Sequence, residues 1–232
     1  MKIVSIFLSV DGEVNFCGVG SWSVFIRFAG CSATCNYCDS KYTWGRQDAK
    51  NMILQEVIKE VERIGQGVKK ITITGGEPFE QRAACEDVMF TFLKAGYMVS
   101  VETNGFHWIN QYAGKNPNLG FVMDYKLPSA GTCSQNTRIE RFMNLSQNDY
   151  IKFPIGSKID FDIAVNAVEV LYPLTQAHMY FSPIHNKIKP YDLFLAMKKI
   201  NLPPFQVGIN LQMHKFIFPD DWRIEEKNDA SY

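Results

Sequence analysis

Hydrophobic and polar positions along the chain fall into two rhythms. MKIVSIFLSV is mostly apolar until Asp11 and reads as a short buried strand. VFIRFAG, Val24 to Gly30, is rich in β-branched and aromatic residues and reads as a second strand. Over residues 49–66 the spacing changes. Ile53, Val57, Val61 and Ile64 recur at helical intervals, with Leu54 and Ile58 alongside. KITITGG then reads as a strand ending in glycines, residues 80–95 as a helix ending at Gly96, and YMVSVETNG as another strand. GFVMDYK, DYIKFPI, AHMYFSP and QVGINLQ continue the strand series, and helices are predicted near 134–145, 160–171 and 190–200.

This alternation predicts an α/β fold whose mostly parallel sheet is joined by right-handed crossover helices. It suits an open, partial TIM-type barrel of about six strands better than a closed eight-stranded one. No linker, repeat or charge block interrupts the chain, so residues 1–232 read as one domain. A strand segment over 1–23 opens it, and a polar tail over 220–232 ends it. In such folds ligands collect at the C-terminal ends of the strands. AGC, TGGEP, ETNG and DYKLPSAG follow successive strands and are expected to converge on one mouth. Taken singly, each is an ordinary turn, because Gly, Pro and Asn mark turns everywhere.

Composition narrows the picture by exclusion. Of 232 residues, 46% are hydrophobic and 21% charged, which is globular usage and not disorder. Lys plus Arg and Asp plus Glu number 24 each, so no bulk field draws the chain to nucleic acid or an anionic membrane. The aromatic residues have no accompanying basic patch and read as core rather than base stacking. No apolar run reaches the ~18 residues of a membrane span, and a secretory signal is not expected. The cysteines Cys17, Cys31, Cys35, Cys38, Cys85 and Cys133 sit unevenly. A tight cluster among them is the spacing of a metal or cluster site in a reducing compartment, so the protein is expected in the cytoplasm.

The candidate chemistry starts at Cys31-Ser-Ala-Thr-Cys35-Asn-Tyr-Cys38, a C-x3-C-x2-C run just past a strand. Three thiolates on one loop can hold three corners of a cubane iron–sulfur cluster, whose full ligation takes four. One iron then keeps an open position for a substrate or cofactor. The alternative is a structural zinc completed by Cys17, His107, His178, His185 or His214. Structural zinc sites usually bring two cysteine pairs, and the chain has no second C-x2-C. Cys85 and Cys133 read as unligated thiols.

The same spacing, with Tyr37 before the last cysteine, resembles the signature of the radical S-adenosylmethionine (SAM) superfamily. Thr74-Gly75-Gly76-Glu77-Pro78 is similar to its GGEP segment, whose glycines would let backbone approach the methionine moiety. More of the chain resembles one family, the 7-carboxy-7-deazaguanine synthases. Phe7-Leu-Ser-Val-Asp-Gly12-Glu13 is similar to its F-x-x-x-Q-G-E, and Phe25-Ile-Arg27-Phe-Ala-Gly30-Cys31 to its arginine-bearing strand. Cys38-Asp39-Ser40 resembles its C-D-T. Glu102-Thr-Asn-Gly105, Lys126-Leu-Pro-Ser129 and Leu211-Gln-Met-His214-Lys215 follow in the family's order. The chain departs from it with Asp11 for glutamine, Val14 for glycine, Ser40 for threonine, and Asp124-Tyr125 for Ser-Pro.

The resemblance implies a reaction. A 4Fe-4S cluster would bind SAM through its open iron and cleave it to a 5′-deoxyadenosyl radical. 6-Carboxy-5,6,7,8-tetrahydropterin would then lose a hydrogen atom, contract its ring and release ammonia. The product would be 7-carboxy-7-deazaguanine, of queuosine-type 7-deazapurine biosynthesis. SAM would be re-formed each turnover, and Mg2+ would orient the substrate. The cluster would sit on Cys31, Cys35 and Cys38, and Ser40 would offer Mg2+ an oxygen. Tyr37, Cys38, Asp39, Gly76, Asp124, Tyr125, Lys126 and Ser182 would touch SAM. Val10, Asp11, Gly12, Arg27, Thr74 and Pro219 would touch the pterin, the Arg27 fork suiting its carboxylate.

Plainer readings stand beside these. Arg27 could pair with a core carboxylate, Ser40 could cap a helix, and Asp11-Gly12 could make a hairpin turn. The resemblance also implies a homodimer and an electron donor such as flavodoxin. The competing functions are a radical SAM activase that places a glycyl radical on a partner enzyme, and a zinc-binding module.

Overall fold

The computed structural model describes residues 1–47, 49–201 and 206–218. Its strands form a single sheet. β1 (Lys2–Val10) runs antiparallel to β2 (Trp22–Phe28), and the short β3 (Lys50–Asn51) pairs antiparallel with the start of β1. Beyond β2 every pairing is parallel, through β4 (Lys70–Gly75), β5 (Met98–Thr103) and β6 (Leu119–Asp124). β7 (Tyr150–Ile155), β8 (His178–Pro183) and β9 (Val207–Ile209) complete the row in chain order. β3 and β9 lie at opposite edges, so the barrel is open, as the sequence predicts.

The parallel strands alternate with unusual clarity. Strands of a parallel sheet are commonly apolar on both faces, because both faces are covered. Here one face is apolar. Ile71, Ile73, Val99, Val101, Phe121, Met123, Ile151, Phe153, Met179 and Phe181 are all buried in the main core. Each such side chain contributes roughly 1.5–3 kcal/mol by leaving water. The opposite face carries Arg27, Thr74, Glu102, Asp124, Lys152 and Ser182. The register sets Arg27 beside Thr74 and Asp124 beside Lys152. A polar face inside a half-barrel is a lining for a polar ligand.

The helices lie on the apolar face. α1 (Leu54–Gly65) buries Val57 and Val61, and starts later than residue 49 because Lys50 and Asn51 are taken by β1. Ile53 caps it, its N–H donating to Glu56 Oε2 at 2.8 Å, and so lies exposed. α2 (Arg82–Lys94) buries Val88, Met89, Phe92 and Cys85, which is a core residue. α3 (Lys158–Leu171) begins at Ser157, whose hydroxyl accepts the Asp160 N–H at 3.1 Å. α4 (Pro190–Met197) and α5 (His214–Ile217) follow. No described helix is long and apolar enough to cross a membrane.

The helix predicted near 134–145 does not form. The chain makes 3-10 turns over Pro128–Ala130, Thr132–Asn136 and Ile139–Phe142 instead. Ser134 donates to the Gly131 carbonyl, and Arg138 and Arg141 donate to the carbonyls of Gln135, Asn136 and Thr137. The carbonyls of Gln135, Asn136 and Thr137 are acceptors a continuous α-helix there would need.

Candidate active site

The strand-end motifs converge. A cavity of about 490 Å³ lies along the polar face and is bordered by the cysteine loop, the TGGEP and ETNG turns, Lys126 and the 212–218 segment. Among the described residues, every predicted site residue borders it except Tyr125. The Tyr125 ring packs on Phe142 and Phe153, away from the lining, because neighbouring strand residues face opposite sides. Pro219 and the tail lie outside the described residues.

The cysteine loop folds back over the end of β2. Gly30 N–H donates to the Thr43 carbonyl at 2.7 Å, and Cys38 N–H to the Cys35 carbonyl at 3.1 Å. Cys35 is buried, and Cys31 and Cys38 are partly so. Ala33, Ala130, Tyr37 and Phe106 pack around these sulfurs. Burial pushes the Cys31 thiol up to about 12 and Cys35 to about 11, so without iron both are thiols. Cys133, read as an unligated thiol, has its Sγ 3.4 Å from that of Cys35. Among the described residues no group of three or more His, Cys, Asp or Glu is arranged to hold a single metal ion.

The glycines of TGGEP have a role that the sequence argument missed. A Cβ on Gly76 would stand 2.3 Å from the Gly30 carbonyl oxygen, and one on Gly75 2.1 Å from that of Phe28. They let β4 end against the cysteine loop backbone. Gly76 N–H donates to the Phe28 carbonyl at 2.9 Å, and Glu77 N–H to that of Gly30 at 2.8 Å. Glu77 turns inward and accepts from Phe79 N–H, Thr103 Oγ1 and Asn104 N–H, at 3.0, 2.8 and 2.7 Å. It ties three strand ends together.

Further along the cavity lies a chain of buried charges. Lys152 contacts Glu13 and lies 3.0 Å from Asp124, which also binds Lys126. Burial opposes the charge on Asp124, but Lys126 and Lys152 more than offset it and hold its carboxyl low. Glu102 accepts from Thr74 Oγ1 at 2.6 Å. Burial, with the charges of Glu13 and Asp11, lifts Glu102 from 4.5 to about 7. Its neutral form therefore supports the fold fully below about 4.5, and that support is lost as pH rises through about 7. Glu102→Gln is expected to remove this part of the slope. Urea unfolding across that range should show a loss of stability on the order of 2 kcal/mol smaller than in wild type. Equal slopes would contradict the assignment. Glu13, Glu102 and Lys152 were given no role from sequence. The available signals were the glutamates of the motifs and a lysine inside the apolar run DYIKFPI.

The N-terminal segment departs from expectation. Residues 11–21 form a long loop, so Asp11-Gly12 is not a tight hairpin. Asp11 Oδ2 accepts from Lys70 Nζ at 2.8 Å and Thr72 Oγ1 at 2.9 Å. Its N–H and carbonyl are bonded to Ser21 and Gly20, so most of its capacity is spent inside the protein. Gly12 is needed for the C-terminal segment: a Cβ there would stand 2.7 Å from His214 N. Met213 N–H donates to the Gly12 carbonyl at 2.8 Å, and Gln212 Nε2 to Glu13 Oε1 at 2.8 Å. Val10 borders the cavity beside them. Val14 N–H donates to Asn210 Oδ1 at 3.1 Å, and Asn210 also donates to Ser182 Oγ at 3.1 Å. Arg27 lies between Phe7 and Tyr42, 5.4 and 6.0 Å from their ring centres. Ser40 precedes a 3-10 turn without capping it through its hydroxyl, which donates to Asp39 Oδ1 at 2.9 Å. Burial works against the Asp39 charge, but Lys215, Ser40 and Arg27 bring its carboxyl down to about 2.

An open parallel half-barrel with a three-cysteine loop over its strand ends defines a radical SAM protein, and the Radical SAM superfamily model matches residues 25–118. Two curated relatives narrow this further. The 7-carboxy-7-deazaguanine synthase of Clostridium acetobutylicum is 32% identical, over 94% of this chain and 96% of its own. That of Methanospirillum hungatei is 34% identical, over 94% and 85%. The chain belongs to the 7-carboxy-7-deazaguanine synthase family. The crystal structure of QueE from Escherichia coli shares the fold, with a TM-score of 0.69 and 20% identity over 92% of this chain and 94% of its own.

The superfamily implies a 4Fe-4S cluster and SAM, and the residues fit them. Three thiols share one loop on the cavity wall. Two buried polar atoms there, Tyr37 OH and Asn104 Nδ2, have no partner among the described residues. Unsatisfied buried donors at a cavity are what a ligand would complete.

Proposed function

We propose that this chain converts 6-carboxy-5,6,7,8-tetrahydropterin to 7-carboxy-7-deazaguanine with loss of ammonia. One observation carries the reading: a single cavity holds three thiols together with Arg27, Glu13 and Glu102. Cys31, Cys35 and Cys38 would hold the cluster. Tyr37, Asp39, Gly76, Asp124, Lys126 and Ser182 would border SAM, all of them on the cavity wall. When bound, the pair supplies a 5′-deoxyadenosyl radical that takes a hydrogen atom from the substrate.

The chain's own residues do the rest. Arg27, held between aromatic rings, offers a planar donor fork to the substrate carboxylate. Glu13 and Glu102 offer acceptors to the N–H groups of the pterin edge. Lys152 fixes Glu13, and the Thr74 hydroxyl fixes Glu102. Ser40 and Asp39 present adjacent oxygens that suit Mg2+, which takes few protein ligands and keeps water and substrate. The six free thiols suit a reducing cytoplasm. A flavodoxin as electron donor and a homodimeric state rest on the family resemblance.

Anaerobically reconstituted protein given SAM, Mg2+, a reductant and the carboxytetrahydropterin is expected to yield the deazapurine, read by absorbance and mass. SAM cleavage without deazapurine would remove the synthase reading and leave the superfamily in place. Iron-loaded protein that never cleaves SAM would remove both.

A further inference from the structure

We infer that Asn104 is a SAM-positioning residue whose side-chain amide donates to the carboxylate of bound SAM. The inference rests on the reading that this cavity holds SAM. Asn104 follows the end of β5, and its backbone N–H is taken by Glu77 Oε2 at 2.7 Å. Its Oδ1 accepts the Phe106 N–H at 2.9 Å. That bond identifies the oxygen, so the amide nitrogen is the atom left over. The residue is 7% exposed and borders the cavity, and Nδ2 is buried with no partner among the described residues. A buried donor in this state is costly unless a ligand supplies the acceptor.

The surroundings specify the ligand's charge. Tyr37 OH is a second buried group without a partner on the same wall. Lys126 Nζ, paired with Asp124, lies 5.6 Å from the Tyr37 ring centre. Donors gathered in one wall favour an anion. With Arg27 facing the pterin carboxylate, the remaining choices are the SAM carboxylate and the cluster sulfides. Phe106, two residues on, is the part of this turn that packs against the cysteine loop. Asn104 itself borders the cavity, and its amide nitrogen is the donor left without a partner among the described residues.

The test is equilibrium binding of SAM to reconstituted, iron-loaded protein without pterin. It compares wild type with Asn104→Ser and Asn104→Asp. Both variants keep an oxygen for the Phe106 N–H, and so the turn, while removing the amide donor. The SAM dissociation constant is expected to rise at least about tenfold in Asn104→Ser. It should rise further in Asn104→Asp, where carboxylate would meet carboxylate. Iron content, melting temperature and the SAM-free electron paramagnetic resonance spectrum should match wild type. Should Asn104→Asp fail to fold, Asn104→Ser decides. Binding within about twofold of wild type would overturn the inference. So would a changed SAM-free spectrum with unchanged SAM affinity, which would assign the amide to a sulfide. A wild type that binds SAM but leaves the pterin unchanged would end the synthase reading and leave this assignment standing.

Discussion

Cys35→Ala is expected to leave a folded protein that retains no cluster and turns over at below about one-thousandth of the wild-type rate. Two thiols cannot hold a cubane whose third corner is already the minimum for an open iron. The fold should survive, because the bonds that shape the loop are backbone bonds. Cys38 N–H donates to the Cys35 carbonyl and Asn36 N–H to that of Ala130, both at 3.1 Å, and neither uses the sulfur. The informative comparison is Cys133→Ala. Cys133 touches Cys35 but lies outside the three-cysteine loop, so its removal should preserve iron content and keep activity within about threefold. Iron and sulfide per chain, with product formation, measure both variants. Full iron and turnover in Cys35→Ala would refute the cluster assignment. Loss of iron in Cys133→Ala equal to that in Cys35→Ala would make Cys133 a ligand.

That contact shows where sequence reading stops. Cys35 and Cys133 are 98 residues apart, and nothing local to either announces the meeting. What was legible was local or periodic. The strands beyond β2 are runs of β-branched and aromatic residues with period two, and α1 to α4 follow apolar stripes or clear caps. The motifs at strand ends converge because parallel strands bring their C-terminal ends to one side. The missed helix near 134–145 failed for a reason a stripe does not record. Its arginine side chains compete for the helix's own carbonyls. The glycines of TGGEP have a second role that the motif does not announce, since they also make room for atoms of β2 and the cysteine loop. Lys152 was visible only as a charge inside an apolar strand. Its partners Glu13 and Asp124 lie on other strands or loops, and only the register reveals them.

Lys70→Met is expected to destabilise the protein by about 3–5 kcal/mol, because it strands a buried charge. Lys70 and Asp11 are both about 3% exposed at their side chains, and the ion pair is 2.8 Å long. The ammonium has three hydrogens and three acceptors: Asp11 Oδ2, Asn15 Oδ1 at 3.0 Å and Ser21 Oγ at 2.8 Å. All three lie on the loop between β1 and β2, so Lys70 staples that loop to the start of β4. A buried pair is weak evidence of net stability, since forming it means taking two charges from water. Breaking it is different. With Lys70 gone, the Asp11 carboxylate keeps only the Thr72 hydroxyl at 2.9 Å among these partners. A neutral side chain at position 11 would leave no charge to strand once Lys70 is gone. Asp11→Asn in the Lys70→Met background should therefore recover most of the loss, to within about 1–2 kcal/mol of wild type. The same loop carries Gly12 and Glu13 to the cavity. Activity should fall with stability in the single variant and return with it in the double. Urea unfolding of the wild type, both single variants and the double variant measures the coupling. A loss below about 1 kcal/mol in Lys70→Met, or a double variant no more stable than that single one, would show that the charge is not stranded and that the loop is held by other contacts.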